Sequence, residues 1–444
     1  MKKKIRNKKK FIIISISFFI LFVLIISTIY IYKKIIVVDQ DETTLSKLST
    51  LPYLQGYYKP PKEDSITKSN AKLSYEGFNL YNSTHRPCAF LIDMDGKELH
   101  RWQFNFKDAF PDSEEIHVWY NQKHWRNFWR RVHLFNNGDL LAIYEGNGII
   151  KIDKHSNLIW ATKGGFHHDI EVVDDKIYAL DRRLVTLPRI HEQDPILEDL
   201  ITILTSDGEI IKSISILELF ENSEYTHLME GMPPAGDIFH TNTLEILDGK
   251  FANKSPIFKK GNALICMRMT DTIAIADLEV KKIVWAKKPG IWKTQHQATM
   301  LDNGNMLVFN NLYIENRSNK TEFKMLTETN GYKLVNNKIY KDNKSSVIEF
   351  NPLTMEIIWE YKGDEKNKFF SLASGSNQRL PNGNTLITES DRGRVFEVNP
   401  EGKIVWQYVN IYRTGKNKEL IAGILDLIRF QPDSEFFIKL NKNR

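Results

Sequence analysis

The sequence TQHQATMLDNGNMLVF, residues 294–309, contains the pattern on which the fold depends. His296 opens a short alternating run, the tripeptide Asp302-Asn303-Gly304 forms a turn, and a second apolar run follows. Asn-Gly and Asp-Gly pairs between two β-rich runs are typical of β-hairpins. The same succession of strand, turn and strand recurs along the chain, and several copies begin with histidine. The recurrence predicts the fold, and the histidines indicate where its chemistry lies.

From about residue 74 onward the chain is β-patterned, with almost no sustained helical period. Six units of roughly four short strands follow one another, with characteristic segments at residues 89–102, 133–160, 168–216, 240–285, 296–359 and 376–406. Five of the six end in tryptophan. Repeats of about 40–60 residues with four strands each are typical of β-propellers. We therefore predict an all-β, six-bladed β-propeller; a β-sandwich is the alternative, but it does not account for the repeated tryptophan.

The amino end carries the clearest local signal. Residues 1–10 hold seven basic side chains, and the 22 residues 11–32 carry no charge. A helix of that length spans about 30 Å, the thickness of the hydrocarbon core of a membrane. Fewer positive charges follow the run than precede it, which predicts a cytoplasmic amino end. We predict a basic tail at 1–10 and a single transmembrane helix, an uncleaved signal anchor, at 11–34; a cleaved signal peptide is the alternative.

The remaining boundaries follow from the strand pattern. We assign a juxtamembrane connector to residues 35–73, the propeller to 74–410 and a C-terminal tail to 411–444. Within that tail, the short amphipathic pattern at 419–430 predicts a helix packed on the last blade. This arrangement makes the chain a single-pass membrane protein whose propeller lies outside the cytoplasm, in a bacterial periplasm or its equivalent.

The net charge of +6 belongs to one end of the chain. Nine of the 61 basic residues and none of the 55 acidic ones lie in residues 1–34, which leaves 52 basic against 55 acidic side chains in the rest. A nucleic-acid partner therefore has no electrostatic support. Cys88 and Cys266 are the only cysteines. An exported pair can form a disulfide, but two separate buried thiols are the more common arrangement.

Histidines open three consecutive units, at His168, His240 and His296. In a propeller the innermost strand of each blade lines the channel, so residues that open these strands converge at one end of it. One such histidine is more often structural, but three at equivalent positions weaken that interpretation. Converged imidazoles either bind a metal or act as nucleophile and acid/base groups.

Two neighbouring residues favour an anionic ligand over a metal ion. Asn242 follows His240 by two residues, and Arg268 ends the next strand of the same unit. A guanidinium and an amide beside imidazoles suit a tetrahedral oxyanion, whereas an arginine repels a bare cation. Arg268 is also expected to lower the pKa of a neighbouring imidazole and keep it neutral. For the pair Arg130-Arg131 a solvated face is the common arrangement, and an anion-attracting pair in the channel is the alternative.

At these residues the chain resembles the arylsulfotransferases, exported β-propeller enzymes, over about residues 48–415. The matching motifs are Leu51-Pro52-Tyr53, the Gly77–Trp102 segment, His167-His168-Asp169, His240-Thr241-Asn242, Leu264–Arg268, Gln295-His296 with its Asn-Gly-Asn turn, the run from Gln378 to Glu389, and Tyr412-Arg413. The run from Gln378 to Glu389 is the most specific of them. The chain departs from the family in having Phe309-Asn310-Asn311 where Phe-Asp-Asn is common.

The resemblance implies a ping-pong sulfuryl transfer from an aryl sulfate ester to a phenolic acceptor through a sulfohistidine, without a cofactor or metal. It places His296 at the nucleophile and His168 at a further active-site histidine. His240, Asn242 and Arg268 fall on the pocket for the sulfuryl oxygens; His240 and Arg268 are also expected to act in catalysis. Its substrates would be small molecules, and its only other partner would be the membrane that holds the N-terminal helix.

Two other function classes remain open at this point. A non-catalytic binding propeller would keep the fold without the chemistry, and intact histidines count against it. A metal- or quinone-dependent propeller enzyme is the other alternative, although no carboxylate-rich calcium pocket can be identified in the sequence. The sequence does not indicate an oligomeric state.

Overall fold

The structure, a computed structural model, describes residues 57–58, 67–113, 128–313, 344–414 and 420–431. Two units are distinguished, one of residues 1–50 with 118–121 and one of residues 51–117 with 122–444. The first lies outside the described residues, as do the predicted basic tail, the predicted signal anchor and the Leu51-Pro52-Tyr53 motif. Within the described ranges, no helix is both long and apolar enough to cross a membrane.

The described chain consists almost entirely of β-strands, which we number in chain order. They are β1 (Tyr57–Tyr58), β2 (Thr67–Ser69), β3 (Phe78–Ser83), β4 (Cys88–Ile92), β5 (Glu98–Gln103), β6 (Trp129–Leu134), β7 (Leu140–Tyr144), β8 (Gly148–Ile152), β9 (Leu158–Lys163), β10 (Ile170–Val173), β11 (Lys176–Val185), β12 (Ile196–Thr205), β13 (Ile210–Ser215), β14 (Gly236–Asp237), β15 (Thr241–Ile246), β16 (Ala263–Met267), β17 (Thr272–Asp277), β18 (Lys282–Lys287), β19 (His296–Met300), β20 (Met306–Tyr313), β21 (Lys344–Phe350), β22 (Ile357–Tyr361), β23 (Ser376–Arg379), β24 (Thr385–Glu389), β25 (Arg394–Val398), β26 (Ile404–Val409), β27 (Arg413–Thr414), β28 (Leu420–Ala422) and β29 (Ile424–Phe430). The described helices are short: α1 (Phe106–Ala109), α2 (Ile216–Glu221) and single 3-10 turns at Thr226–Met229, Pro256–Phe258 and Ser390–Arg392.

Six antiparallel sheets form the blades, and each has an inner-to-outer order of four strands. The blades are, in order, β29-β3-β4-β5, β6-β7-β8-β9, β10-β11-β12-β13, β15-β16-β17-β18, β19-β20-β21-β22 and β23-β24-β25-β26. β14 pairs in parallel with β12 of the third blade, and β2 is added to the outer edge of the sixth. The inner strands contact one another in a closed ring, from β29 through β6, β10, β15, β19 and β23 back to β29. The predicted six-bladed β-propeller is therefore confirmed.

The hydrophobic core is divided into six clusters, and each fills the space between two neighbouring blades. Each blade packs one face of its sheet against the preceding blade and the other face against the following blade. Apolar side chains on both faces of a blade are therefore part of the core. Cys88 and Cys266 are both free and buried, and they belong to different clusters. The interpretation of two separate buried thiols is confirmed.

The repeated tryptophan has a physical role at the outer strand of the blade. The indole N–H of Trp102 donates to the carbonyl of Gly138, in a turn of the next blade, at 3.0 Å. Trp160 does the same to Ser206 at 3.0 Å, and the ring lies on Gly208, where an added Cβ would come within 2.5 Å of it. Trp359 and Trp406 repeat the bond at 2.9 and 2.8 Å. The tryptophans thus tie each of these blades to its successor, which a β-sandwich would not require.

The C-terminal segment differs from the prediction. Residues 419–430 were expected to form a helix, but Ile424–Phe430 is the strand β29, which pairs with β3 and forms the inner edge of the first blade. Because β2 also joins the sixth blade, the propeller extends beyond the predicted range 74–410 at both ends. The error has a clear cause: a short, mostly apolar segment with two charged residues fits a helical face as well as a strand, and only the tertiary partner decides. β29 closes the ring with residues from opposite ends of the chain.

Candidate active site

Three buried histidines meet at the openings of consecutive inner strands. His240 directly precedes β15, His168 lies two residues before the start of β10, and His296 is the first residue of β19. Their side chains are almost fully buried, and the ring centroids of His168 and His240 are 4.8 Å apart. The centroids of His240 and His296 are separated by 6.5 Å. The structure therefore brings together the three histidines that the sequence singled out.

The backbone at these openings adopts a conformation that side chains other than glycine rarely accept. His168 and His240 have φ angles of 53° and 52°, and Gln297, directly after His296, has a φ of 45°. Such left-handed residues are uncommon outside glycine and asparagine and persist where the surroundings hold them. Register shifts in β15 and β19 accompany them. The bulged strand openings turn the imidazoles away from the ladder and towards one another.

His296 has one ring nitrogen bonded and one without a hydrogen-bond partner. Its Nδ1 lies 2.7 Å from Oδ1 of Asn311 and 3.1 Å from the carbonyl oxygen of Thr294. Among the described residues, its buried Nε2 has no hydrogen-bond partner. Burial lowers the pKa of His296 well below its ordinary value, and the positive charge of Arg268 lowers it further. The side chain is therefore a neutral imidazole at pH 7, as the sequence predicted from Arg268, although burial is the larger cause.

His240 is paired with a carboxylate that the sequence did not identify. Its Nδ1 makes a short hydrogen bond to Oδ2 of Asp237, at the end of β14. Burial raises the pKa of Asp237, but the charge of His240 and their hydrogen bond outweigh this effect and lower it to about 2. Asp237 is thus an anion that fixes the orientation of the imidazole. The pairing resembles in geometry the histidine–carboxylate arrangements of acid/base catalysis.

His168 is held by a second histidine. Its Nδ1 lies 2.8 Å from Nδ1 of His167, whose Nε2 lies 3.2 Å from the carbonyl oxygen of Asp181. Burial lowers the pKa of His167 to about 3, so that ring is neutral. A carbonyl only accepts hydrogen bonds; the Nε2 of His167 therefore carries its proton, and the Nδ1 of His168 donates to the Nδ1 of His167. The His-His pair is visible in the sequence, but the role of His167 is not.

Arg268 and Asn242 lie beside the histidines in different ways. Arg268 follows β16, its backbone N–H donates to the carbonyl of His240 at 3.2 Å, and its charge acts on His296. Asn242 is buried, and its Nδ2 donates to the carbonyl of Gln295 at 2.9 Å. This bond holds the backbone that leads into His296. One amide N–H of Asn242 is therefore already used, and only the second is available to a ligand.

The pair Arg130-Arg131 lies in the channel and not on a solvated face, as both residues are buried. Arg131 makes an ion pair with Asp426 of the first blade and bonds at 3.1 Å to the carbonyl of His168 in the third. A further bond, at 2.7 Å, reaches Gln297 of the fifth blade. These carboxylate and carbonyl partners satisfy a buried guanidinium that would otherwise be too costly to desolvate. Arg131 thus ties the second blade to the first, third and fifth blades across the channel.

Arg130 adds a second cation near the histidines. Burial lowers its pKa to about 10, and Glu145 lies 3.5 Å from it. After burial, its charge is the largest cause that lowers the pKa of His168, and it also acts on His296. Sequence reasoning weighed this residue only as half of a charge pair. Its position at the opening of the second unit, one blade before His168, was the available signal.

The charges around the histidines favour an anion. Arg130 and Arg268 both act on His296, and across the described ranges no group of three or more His, Cys, Asp or Glu side chains is arranged to hold a metal ion. A cavity of about 400 Å³ lies further along the channel, lined by Arg131, Asp169 and Gln297 but by none of the three histidines. The histidine cluster thus combines imidazoles with the buried cations Arg130 and Arg268 and with the carboxylates of Asp237 and Glu145.

Comparison with known proteins identifies the family. The sequence model of the family described as arylsulfotransferase (ASST) matches residues 131–411, which include the three histidines. No curated protein matches the chain.

Several solved structures are similar at low identity. A protein of unknown function from Bacteroides caccae is 14% identical, with 80% of this chain and 98% of that chain covered and a TM-score of 0.42. A streptogramin B lyase is 12% identical, with 85% and 94% covered and a TM-score of 0.40. BamB from Moraxella catarrhalis is 12% identical, with 84% and 98% covered and a TM-score of 0.35. From the family match, this chain belongs to the arylsulfotransferase family.

Proposed function

We propose that the protein transfers a sulfuryl group from an aryl sulfate ester to a phenolic acceptor by a ping-pong mechanism through a sulfohistidine at His296. The observation that carries the proposal is the buried Nε2 of His296, which has no hydrogen-bond partner among the described residues and lies within reach of the charges of two arginines. A neutral imidazole with a free lone pair is a nucleophile, and the arginines attract the anionic ester.

In the first half-reaction the lone pair of His296 Nε2 forms the N–S bond while the S–O bond to the aryl group breaks. The electron pair leaves on the phenolate oxygen, which takes a proton from His240. Asp237 stabilises the imidazolium form of His240 before this step. General-acid help of this kind contributes roughly a hundredfold or more. We propose that His168, next to His240, lies on the same side as the phenolic oxygen and supports His240 there.

In the second half-reaction the phenolic acceptor gives its proton to His240 and forms a new O–S bond. The electron pair of the N–S bond returns to Nε2 of His296, so the enzyme is restored. Arg268 is proposed to donate to the sulfuryl oxygens, and preorganised donors of this kind are worth about 3–4 kcal/mol each. Asn242 can take part in this pocket only through its second amide N–H, since the first is bound to Gln295.

The chain's cellular placement belongs to the same proposal. An N-terminal membrane anchor at residues 11–34 would hold the propeller outside the cytoplasm. A sulfohistidine mechanism suits that location because it needs no cytosolic nucleotide as sulfuryl donor. A reporter domain fused after residue 444 tests the topology: activity restricted to an extracytoplasmic reporter supports it, and activity of a cytoplasmic reporter contradicts it.

The proposed activity is tested with the full chain and p-nitrophenyl sulfate. Without an acceptor, the intact mass should increase by one SO₃ group, and adding a phenol should remove that group and yield the phenyl sulfate. The His296→Asn variant should show neither change. If the wild-type protein binds an aryl sulfate but never acquires the added mass, the non-catalytic binding propeller becomes the better account.

A further inference from the structure

The structure contains a side chain whose position decides which nitrogen of His296 can react. Asn311 lies in β20, on the strand that pairs with β19, and is completely buried. Its Oδ1 lies 2.7 Å from Nδ1 of His296. No other amide or carboxylate side chain among the described residues is hydrogen-bonded to this ring. Asn311 is therefore the polar side chain that fixes the imidazole.

The amide of Asn311 has only one workable orientation. Its Nδ2 donates to the carbonyl of Ser371 at 2.8 Å and to that of Ser374 at 3.0 Å. A flipped amide would place its oxygen against these two carbonyl oxygens, which can only accept hydrogen bonds. The two carbonyls are themselves held, because Asp391 accepts the backbone N–H groups of Leu372 and Ala373 between them. The oxygen of Asn311 must therefore face His296.

The tautomer of His296 follows from that orientation. An amide oxygen can only accept a hydrogen bond, and so can the carbonyl of Thr294 at 3.1 Å from the same nitrogen. Nδ1 of the neutral ring must consequently carry the proton, and Nε2 must carry the lone pair. We propose that Asn311 is a positioning residue that selects the nucleophilic Nε2 tautomer of His296 and, as a neutral amide, keeps the sulfohistidine reactive; this rests on the proposed function.

The hydrogen-bond partner of His296 is the uncharged amide of Asn311, and this distinguishes His296 from the neighbouring His240. His240 is bonded to the anionic carboxylate of Asp237, whereas His296 is bonded to an uncharged amide oxygen. When Nε2 of His296 bears the sulfuryl group, its ring becomes a cation that still carries the Nδ1 proton. A carboxylate at this point would stabilise that cation and make the ring a poorer leaving group. The amide orients the ring without adding this stabilisation.

The first test reads the tautomer directly, without any substrate. Solid-state NMR of the full chain labelled with ¹⁵N-histidine should show a protonated Nδ1 and an unprotonated Nε2 for His296, assigned by its absence in the His296→Gln variant. In Asn311→Leu, which lacks the acceptor, the signal of a protonated Nε2 should appear. A wild-type ring protonated on Nε2, or an Asn311→Leu spectrum identical to wild type, overturns the proposal.

The second test separates the two half-reactions. In Asn311→Asp, desulfation by a phenol should slow by at least about tenfold, while sulfation by p-nitrophenyl sulfate slows less, so the sulfated enzyme accumulates in the steady state. Asn310→Asp is the matched control, because Asn310 is equally buried in the same strand but bonds to Lys293 and Ser346. Equal slowing of both half-reactions, or accumulation in the control as well, contradicts the proposal.

The two tests distinguish a failure of this inference from a failure of the proposed function. If wild-type protein never gains the SO₃ mass, the sulfotransferase proposal fails, while the NMR spectrum still reports whether Asn311 selects the tautomer. If the protein is sulfated but the tautomer does not depend on Asn311, only the present inference fails. Should Asn311→Asp not fold, Asn311→Leu and the wild-type spectrum still decide the result.

Discussion

The buried pair of Asp237 and His240 allows one prediction to be worked out in detail. Replacing Asp237 by Asn removes the negative charge but keeps the size of the side chain. The short hydrogen bond to Nδ1 of His240 then loses its ionic partner. We expect the imidazolium form of His240 to become less stable, and the proton transfer to the phenolate leaving group to slow accordingly.

The magnitude follows from the pKa of Asp237. Despite burial, its pKa falls from the ordinary 3.8 to about 2, chiefly through the charge of His240. At about 1.4 kcal/mol per pKa unit, a shift of this size is on the order of 2 kcal/mol. Arg182 and His167 also lower this pKa while burial raises it, so the figure is the net of these opposing effects and gives only the order of magnitude. Asp237→Asn should therefore lower kcat/KM for a donor that needs general-acid help by roughly ten- to fiftyfold.

The assay compares two donors, p-nitrophenyl sulfate and phenyl sulfate. Nitrophenolate leaves readily without a proton, whereas phenolate does not, so the loss should be several times larger for phenyl sulfate. Asp199→Asn is the matched control: Asp199 is a neighbouring buried carboxyl that accepts the backbone N–H of Thr241, and its pKa is raised to about 7, first by burial. An equal loss for both donors in Asp237→Asn would refute the acid/base role.

Three further predictions follow from the same site. Arg268→Gln should slow the sulfation of His296 by about 10²–10³-fold in stopped-flow kinetics, because a fixed donor to the sulfuryl oxygens is lost. Arg268→Lys should recover part of the rate. Unchanged kinetics would show that Arg268 does not bind the sulfuryl oxygens. Arg131→Met should lower the free energy of unfolding in urea by about 3–5 kcal/mol, since it leaves buried carboxylates unpaired. The control Arg101→Met, in a partly exposed ion pair, should lower it by less than about 1 kcal/mol. Equal losses in the two variants would contradict the cross-channel role of Arg131. Because the pKa of His296 is held well below 6.5, the nucleophile stays neutral as the pH falls from 7 to 5.5. Its sulfation rate with p-nitrophenyl sulfate should therefore change less than about twofold over this range. A fall in the sulfation rate that follows an ordinary histidine titration would show that the pKa of His296 is normal.

Much of the fold could be predicted because each repeat has a sequence pattern that is local to it. The turns and the terminal tryptophans recur with the blades, and the indole bonds of Trp102, Trp160 and Trp359 reach only the next blade along the chain. The closing strand β29 could not be predicted, because its partner β3 lies about 350 residues away in the sequence. A seven-residue segment of five apolar and two charged residues has no local feature that distinguishes a strand at the ring closure from a short helix.

In the candidate site, too, some features could be predicted from the sequence repeat and others could not. His168, His240 and His296 occupy equivalent repeat positions, so their convergence follows from the repeat itself. The burial of Arg131 does not follow, since it depends on Asp426, 295 positions away. Nor does the tautomer of His296, which is fixed by a neighbouring strand and by carbonyl groups of residues 371–374. Tertiary contacts of this kind set protonation, and sequence spacing does not encode them.

The most direct test of the central claim is the location of the sulfuryl group. The full chain is incubated with p-nitrophenyl sulfate, digested at neutral or alkaline pH, where a sulfohistidine survives best, and sequenced by tandem mass spectrometry. We expect a single SO₃ group on His296, which is lost when a phenol is added. A sulfuryl group on His168, His240 or any other residue, with His296 unmodified, would contradict it.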